Sequence, residues 1–264
     1  MDRTVEIPNK SEMLIKRRAD FVATGKQGFN SAFSPRREMP MIDDDKRLAA
    51  EAAVAEIEDG MLVGLGSGST AAYAIAAIGA RVKGGLAIDA VATSLASAAL
   101  ATRHGIELLD FEDVASVDLV IDGADEIDPT LRAIKGAGGA MLREKIVASA
   151  AKRMVVVADG SKRVSRLGAA PVPVEVLPFA RSFVAAELRR LGGEPVLRRA
   201  GADPYLTDQN NIVLDCAFAA LDATDELAAA LAAIPGALGH GLFLREVDAA
   251  YIAARGNVER LERH

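Results

Sequence analysis

The stretch Met61-Leu62-Val63-Gly64-Leu65-Gly66-Ser67-Gly68-Ser69-Thr70 decides the fold class. A short apolar run breaks into a glycine-rich turn, and Ala71 to Ile78 then reads as helix. Glycines let a backbone approach an anion closely, and a helix start offers unpaired N–H groups with a positive dipole. Ser69 and Thr70 add hydroxyl donors. The turn matches neither G-x-x-x-x-G-K-[ST] nor G-x-G-x-x-G. Asp89 lies about 20 residues on, but it reads as mid-strand, whereas a ribose-binding acid belongs at a strand end. A phosphate-ester site is therefore the leading reading, ahead of a dinucleotide site or a plain tight turn.

The same alternation extends outward. Asp43 to Asp45 precede Leu48, Ala52, Ala55 and Ile57 as a helix start. Ala87–Ala92 and Asp118–Ile121 read as strands, Ser94–His104 and Gly139–Arg153 as helices, and Met154–Ala158 as a further strand. Near-continuous apolar strands between helices predict a parallel sheet covered on both faces.

After Gly168 the order changes. Strand-like Pro171–Val176, helical Ala180–Leu191, strand-like Glu194–Arg199 and Asn211–Cys216, helical Asp225–Ile234 and a strand region at Leu242–Leu244 form a β-α-β-β-α-β series. Ala202-Asp203-Pro204 reads as a turn-rich gap. The expected organisation is a catalytic α/β domain of residues 41–170 plus 241–264, with a split βαβ lobe at 171–240 inserted. Residues 1–40 hold 8 Lys/Arg against 5 Asp/Glu and no sustained apolar period, so they read first as a disordered N-terminal extension, with an ordered arm packing on a partner subunit as the alternative. Their removal is expected to leave activity and solubility intact.

Composition narrows the function. The net charge of −6 argues against a basic nucleic-acid surface, and 8 Phe, 3 Tyr and no Trp leave few stacking platforms. The single Cys216 rules out an intramolecular disulfide and, inside a strand pattern, reads as core. No apolar run reaches membrane-spanning length. The expectation is a soluble cytoplasmic protein without nucleic-acid or membrane partners. His104 is read at a helix end, His240 in a turn, and His264 is terminal, which gives little support for a nucleophile–base pair.

Four clusters carry chemistry. Ser67-Gly68-Ser69-Thr70 is the first. In the second, Ile121-Asp122-Gly123-Ala124-Asp125-Glu126-Ile127-Asp128, an apolar strand ends in carboxylates where open α/β sheets bind ligands. Asp122 and Asp125 suit proton transfer if their environments differ. A solvated acidic loop or a Mg²⁺ site is the alternative; no His lies nearby, so no transition-metal site is expected. Third, Lys135-Gly136-Ala137-Gly138 can set an ammonium beside exposed N–H groups as an oxyanion trap, although taken alone the leading reading is a flexible loop. Fourth, Arg143-Glu144-Lys145 in isolation reads as helix surface, while Lys162 in Asp159-Gly160-Ser161-Lys162 stands at another strand's C-terminal edge.

Together these segments, with Pro173-Val174-Glu175-Val176-Leu177-Pro178, Ala180-Arg181 and Gly241-Leu242-Phe243, resemble the ribose-5-phosphate isomerase type A family, in order and near-family spacing from about residue 44. The resemblance implies interconversion of ribose 5-phosphate and ribulose 5-phosphate in the pentose phosphate pathway, with no metal or other cofactor. It also implies a Rossmann-like main lobe, a ferredoxin-like second lobe and a homodimer or homotetramer. The phosphate-binding loop falls on Ser67, Gly68, Ser69 and Thr70. The acidic substrate motif falls on Asp122, Gly123, Ala124 and Asp125, the lysine–glycine motif on Lys135, Gly136, Ala137 and Gly138, the proton acceptor on Glu144 and a later substrate lysine on Lys162. Ser67 stands where Thr is common, and Ala137 interrupts the glycine run, a concern if that position needs φ > 0. A related deaminase or CoA transferase, and a non-catalytic sugar-phosphate sensor, are the competing readings. A sensor should carry a DNA-binding helix pair, and residues 1–40 supply none.

Overall fold

The computed structural model describes residues 42–219, 221 and 224–263; the expectation for residues 1–40 lies outside them. Helix α1 (Ile42–Val54) carries Asp43, Asp44 and Asp45 in its first turn, at the positive end of its dipole. Strand β1 (Leu62–Leu65), helix α2 (Ser69–Lys83), strand β2 (Asp89–Ala92), helix α3 (Leu95–His104) and strand β3 (Leu119–Asp122) follow in the anticipated alternation. Ser94 caps α3 by accepting from Ser97 N–H, and Gly105 ends it in the left-handed region.

Short strands β4 (Glu126–Ile127) and β5 (Ala133–Ile134) precede helix α4 (Met141–Ser149) and strand β6 (Met154–Asp159). The helix is shorter at both ends than the expected Gly139–Arg153. Asp89 is the first residue of β2, not mid-strand. It therefore lies at the sheet edge opposite the strand C-termini, which removes it from any ligand site there.

Next come β7 (Val172–Val176), α5 (Arg181–Arg190), β8 (Gly193–Leu197), β9 (Arg199–Ala200), β10 (Asp203–Pro204), β11 (Ile212–Phe218), α6 (Thr224–Ala232), β12 (Ala237–His240), β13 (Leu242–Phe243), β14 (Ala249–Ala254) and β15 (Asn257–Glu262). The main sheet has the order β15-β14-β6-β3-β1-β2. Its first five strands in the chain run parallel, and β15 closes the edge antiparallel to β14. The β14–β15 hairpin was not anticipated. It turns at Arg255 and Gly256, both at positive φ, and buried Asp45 of α1 accepts from both of their N–H groups.

Side chains alternate across the sheet. Val155 and Val157 meet α1 and α2 on one face, while Met154, Val156 and Ala158 join Val147 of α4 and Phe243 on the other. A four-stranded antiparallel sheet, β12-β7-β11-β8, packs with α5 and α6 around Val174, Val184, Leu188, Leu214 and Cys216. This is an α/β protein: a Rossmann-like parallel sheet and a smaller ferredoxin-like, split βαβ antiparallel region.

Two local expectations are corrected. Ala202-Asp203-Pro204 belongs to the small β9–β10 hairpin, and His240 ends strand β12 instead of lying in a turn. The third sheet, β13-β5-β4, is too short to show a period in sequence, yet it joins the acidic segment to the lysine segment.

Candidate active site

Strands β1 and β3 are hydrogen-bonded neighbours, with Leu65 opposite Ile121. The glycine-rich turn and the acidic segment therefore emerge at one edge. Gly66 N–H donates to Ile121 O at 3.0 Å. Asp122 Oδ1 accepts from Ser67 N–H at 2.9 Å and Gly123 N–H at 2.7 Å, so both segments converge on one carboxylate.

Lys135 follows β5 directly. Its backbone N–H donates to Gly241 O at 2.9 Å, and its Nζ donates to Gly123 O at 2.5 Å. The same ammonium lies 3.0 Å from Asp122 Oδ2 and 3.2 Å from Glu144 Oε2. One ammonium thus bridges two buried carboxylates. All three side chains are buried, with Asp122 at 0 %, Lys135 at 2 % and Glu144 at 4 % exposure.

Glu144 reaches this position because Met141, Glu144, Val147 and Ala148 form the buried stripe of α4. Its isolated reading as a surface residue is thus wrong. Burial is the main cause that pushes its carboxyl up to about 8; Asp122 adds to this and Lys135 opposes it. Burial disfavours the Lys135 ammonium, yet Asp122 and Glu144 hold its pKa above the ordinary lysine range.

One cavity is lined by residues 67–70, 123–125 and 135–138 together with Glu144 and Lys162, and Asp122 lies buried behind it. Every anticipated site residue is therefore gathered at one place. Asp125 Oδ2 accepts from Ala137 N–H at 2.8 Å. Ala137 is absent from the positive-φ residues, so the interruption of the glycine run imposes no backbone strain.

Ser67 differs from expectation in its side chain. Its Oγ lies 2.8 Å from Thr93 Oγ1, 2.8 Å from Ser94 Oγ and 3.2 Å from Ser97 Oγ, a hydroxyl cluster on the inner side of the turn. Thr93 and Ser94 were missed, although both follow the C-terminal end of β2. Phe243 was also missed as a site residue: Lys135 Nζ lies 5.4 Å and Lys145 Nζ 3.9 Å from its ring centre. Buried His240 is held near 4 by burial and by Lys145, so it stays neutral at pH 7.

Fold and site together define an α/β protein with a buried acid–base group beside a helix start suited to a phosphate ester. The description "Ribose 5-phosphate isomerase A (phosphoriboisomerase A)" belongs to the family profile that matches residues 89–257. A ribose-5-phosphate isomerase A of Sphingopyxis alaskensis is 54% identical over 81% of this chain and 94% of its own length. That of Roseiflexus castenholzii is 49% identical over 82% and 94%. The crystal structure of the Neisseria gonorrhoeae ribose 5 phosphate isomerase A superposes with a TM-score of 0.80 at 38% identity, covering 86% of this chain and 99% of that one. A D-ribose-5-phosphate isomerase in complex with phospho-erythronic acid superposes with a TM-score of 0.82 at 36% identity, over 85% and 100%. The chain belongs to the ribose 5-phosphate isomerase A family.

Proposed function

We propose that this protein interconverts D-ribose 5-phosphate and D-ribulose 5-phosphate through an enediolate, as a step of the non-oxidative pentose phosphate pathway. The observation that carries the reading is the Lys135 ammonium held between Asp122 and Glu144, on a cavity bounded by the start of α2. The ligand in the related isomerase structure, phospho-erythronic acid, is a phosphorylated acid, which supports an anion-stabilising site.

The reaction moves one proton between C2 and C1 and another between the two oxygens. Glu144 takes the carbon-bound proton and returns it to the neighbouring carbon. Such general acid–base help is worth about 10²–10⁴-fold. Asp122 handles hydroxyl protons and ring opening, and Asp125 orients the sugar. Lys135 balances the charge that develops on the enediolate oxygen. Residues 67–70 and Lys162 hold the phosphate, supplying orientation remote from the reacting carbons. In this reading the backbone of the Ser67 turn, and not its engaged hydroxyl, faces the ester.

We further take residues 41–170 with 241–264 as the catalytic domain, 171–240 as the inserted lobe, and the protein as a cytoplasmic homodimer or homotetramer. Among the described residues no helix is long and apolar enough to cross a membrane. The direct test is ribulose 5-phosphate formation from ribose 5-phosphate in the presence of EDTA. Turnover by the folded protein is expected; its absence would overturn the isomerase reading.

A further inference from the structure

The turn Gly136-Ala137-Gly138-Gly139 is held from the antiparallel lobe. Arg198 Nη1 donates to Gly136 O and to Ala137 O, each at 2.9 Å, and Tyr205 Oη donates to Gly138 O at 3.0 Å. Three successive carbonyls of the turn are thus taken by two side chains that follow β8. Both are themselves fixed. Arg198 Nε and Nη2 pair with Asp215 Oδ2 and Oδ1 at 2.9 and 2.5 Å, and Tyr205 N–H donates to Arg198 O at 3.0 Å. The Arg198 guanidinium also lies 5.7 Å from the Tyr205 ring centre.

A trans peptide points its C=O and N–H in opposite directions. With Gly136 O turned to Arg198, Ala137 N–H faces the other way and meets Asp125 Oδ2 at 2.8 Å. With Ala137 O turned to the same guanidinium, the Gly138 N–H faces away from Arg198, and Gly138 itself lines the cavity. Gly139 N–H is consumed within the turn, donating to Gly136 O at 2.9 Å. Gly136 and Gly139 at the ends of the turn have φ of 111° and 78°, which glycine adopts without strain, and Ala137 and Gly138 between them are exposed.

We propose that Arg198, supported by Tyr205, is a positioning residue of the isomerase site: its clamp on two carbonyls aims the Gly138 amide at bound substrate and holds Ala137 N–H on Asp125. It touches no reacting atom and acts through the turn. The kinetic part of this proposal rests on the isomerase reading; the clamp itself does not.

The test uses the full chain carrying Arg198→Met in an Asp215→Asn background, so that no half-buried carboxylate is left unpaired, together with Tyr205→Phe and Arg198→Lys. Losing a charge-assisted hydrogen bond should raise KM for ribose 5-phosphate about tenfold, with kcat changed less than about threefold. Arg198→Lys, which keeps a donor, and Tyr205→Phe should each raise KM by only about twofold to threefold. Added guanidinium ion should restore part of the loss in Arg198→Ala with Asp215 retained, where the vacated space and its carboxylate partner remain, which a misfolded protein would not allow. Amides 136–139 should exchange hydrogen faster in the Arg198→Met protein than in the parent. Unchanged KM or unchanged exchange at 136–139 overturns the proposal. If the parent protein itself shows no turnover, the isomerase reading fails, and the exchange measurement alone judges the clamp.

Discussion

A Cβ placed on Gly66 would come within 2.2 Å of Asp122 Oδ1 and 2.5 Å of Asp122 Cα. The glycine that follows β1 is therefore what lets the acidic strand end approach the glycine-rich turn. Part of the obstacle is backbone, which no rotamer change relieves. Gly66→Ala should lower stability by about 1–3 kcal/mol, as overpacking does. A urea midpoint unchanged from the parent's would show that the two segments have slack.

Glu144→Gln keeps size and polarity while removing the base. Turnover should fall by about 10²–10⁴-fold while ribose 5-phosphate still binds. Calorimetric binding beside steady-state rates checks both halves, and activity within tenfold of the parent would remove Glu144 from the role.

The pH profile follows from the same carboxyl. A base works only when ionised, and burial pushes Glu144 up to about 8. Protonation below that value removes the base, so kcat/KM should decline as pH falls through about 8 and level off above it. Lys135, held above the ordinary lysine range, stays charged across this window. An acidic limb confined to the ordinary carboxylate range would contradict the raised value.

Lys135→Met leaves two buried carboxylates facing each other without a cation. Removing one partner of a buried ionic group costs about 3–5 kcal/mol. The penalty should shrink as pH is lowered, because protonated carboxyls no longer need the ammonium. Denaturation of both proteins at several pH values measures this, and a pH-independent difference would mean that packing, not charge, dominates.

Labelling tests the proton route. With Glu144 carrying hydrogen from C2 to C1, turnover in heavy water should place deuterium in recovered sugar at those carbons. A label-free product, with the carboxyl known to exchange rapidly, would exclude the single-base shuttle.

Much of the site was legible where chemistry is local. Residues 66–70 announce themselves because strand, glycine turn and helix are contiguous, and Asp122 to Asp125 because an apolar strand ends in carboxylates. Glu144 was not legible from its own neighbours. Arg143 and Lys145 make it look like surface, and only the family resemblance named it. Its burial depends on which stripe of α4 meets the sheet. Strands β14 and β15 escaped because an alanine-rich run is ambiguous in period, and the edge strand Asn257–Glu262 shows no apolar face.

The order of residues alone determined the alternation of strands and helices, the change of pattern after Gly168, and the chemical groups delivered to strand ends. Those follow from periodicity and turn chemistry, which act over a few residues. Only the tertiary structure decided that Lys135 would lie between Asp122 and Glu144, that the Ser67 hydroxyl would turn inward, and that Arg198 would grip a turn 62 positions away. Burial, and the electrostatics that burial strengthens, depend on which distant segments come to share one dry space.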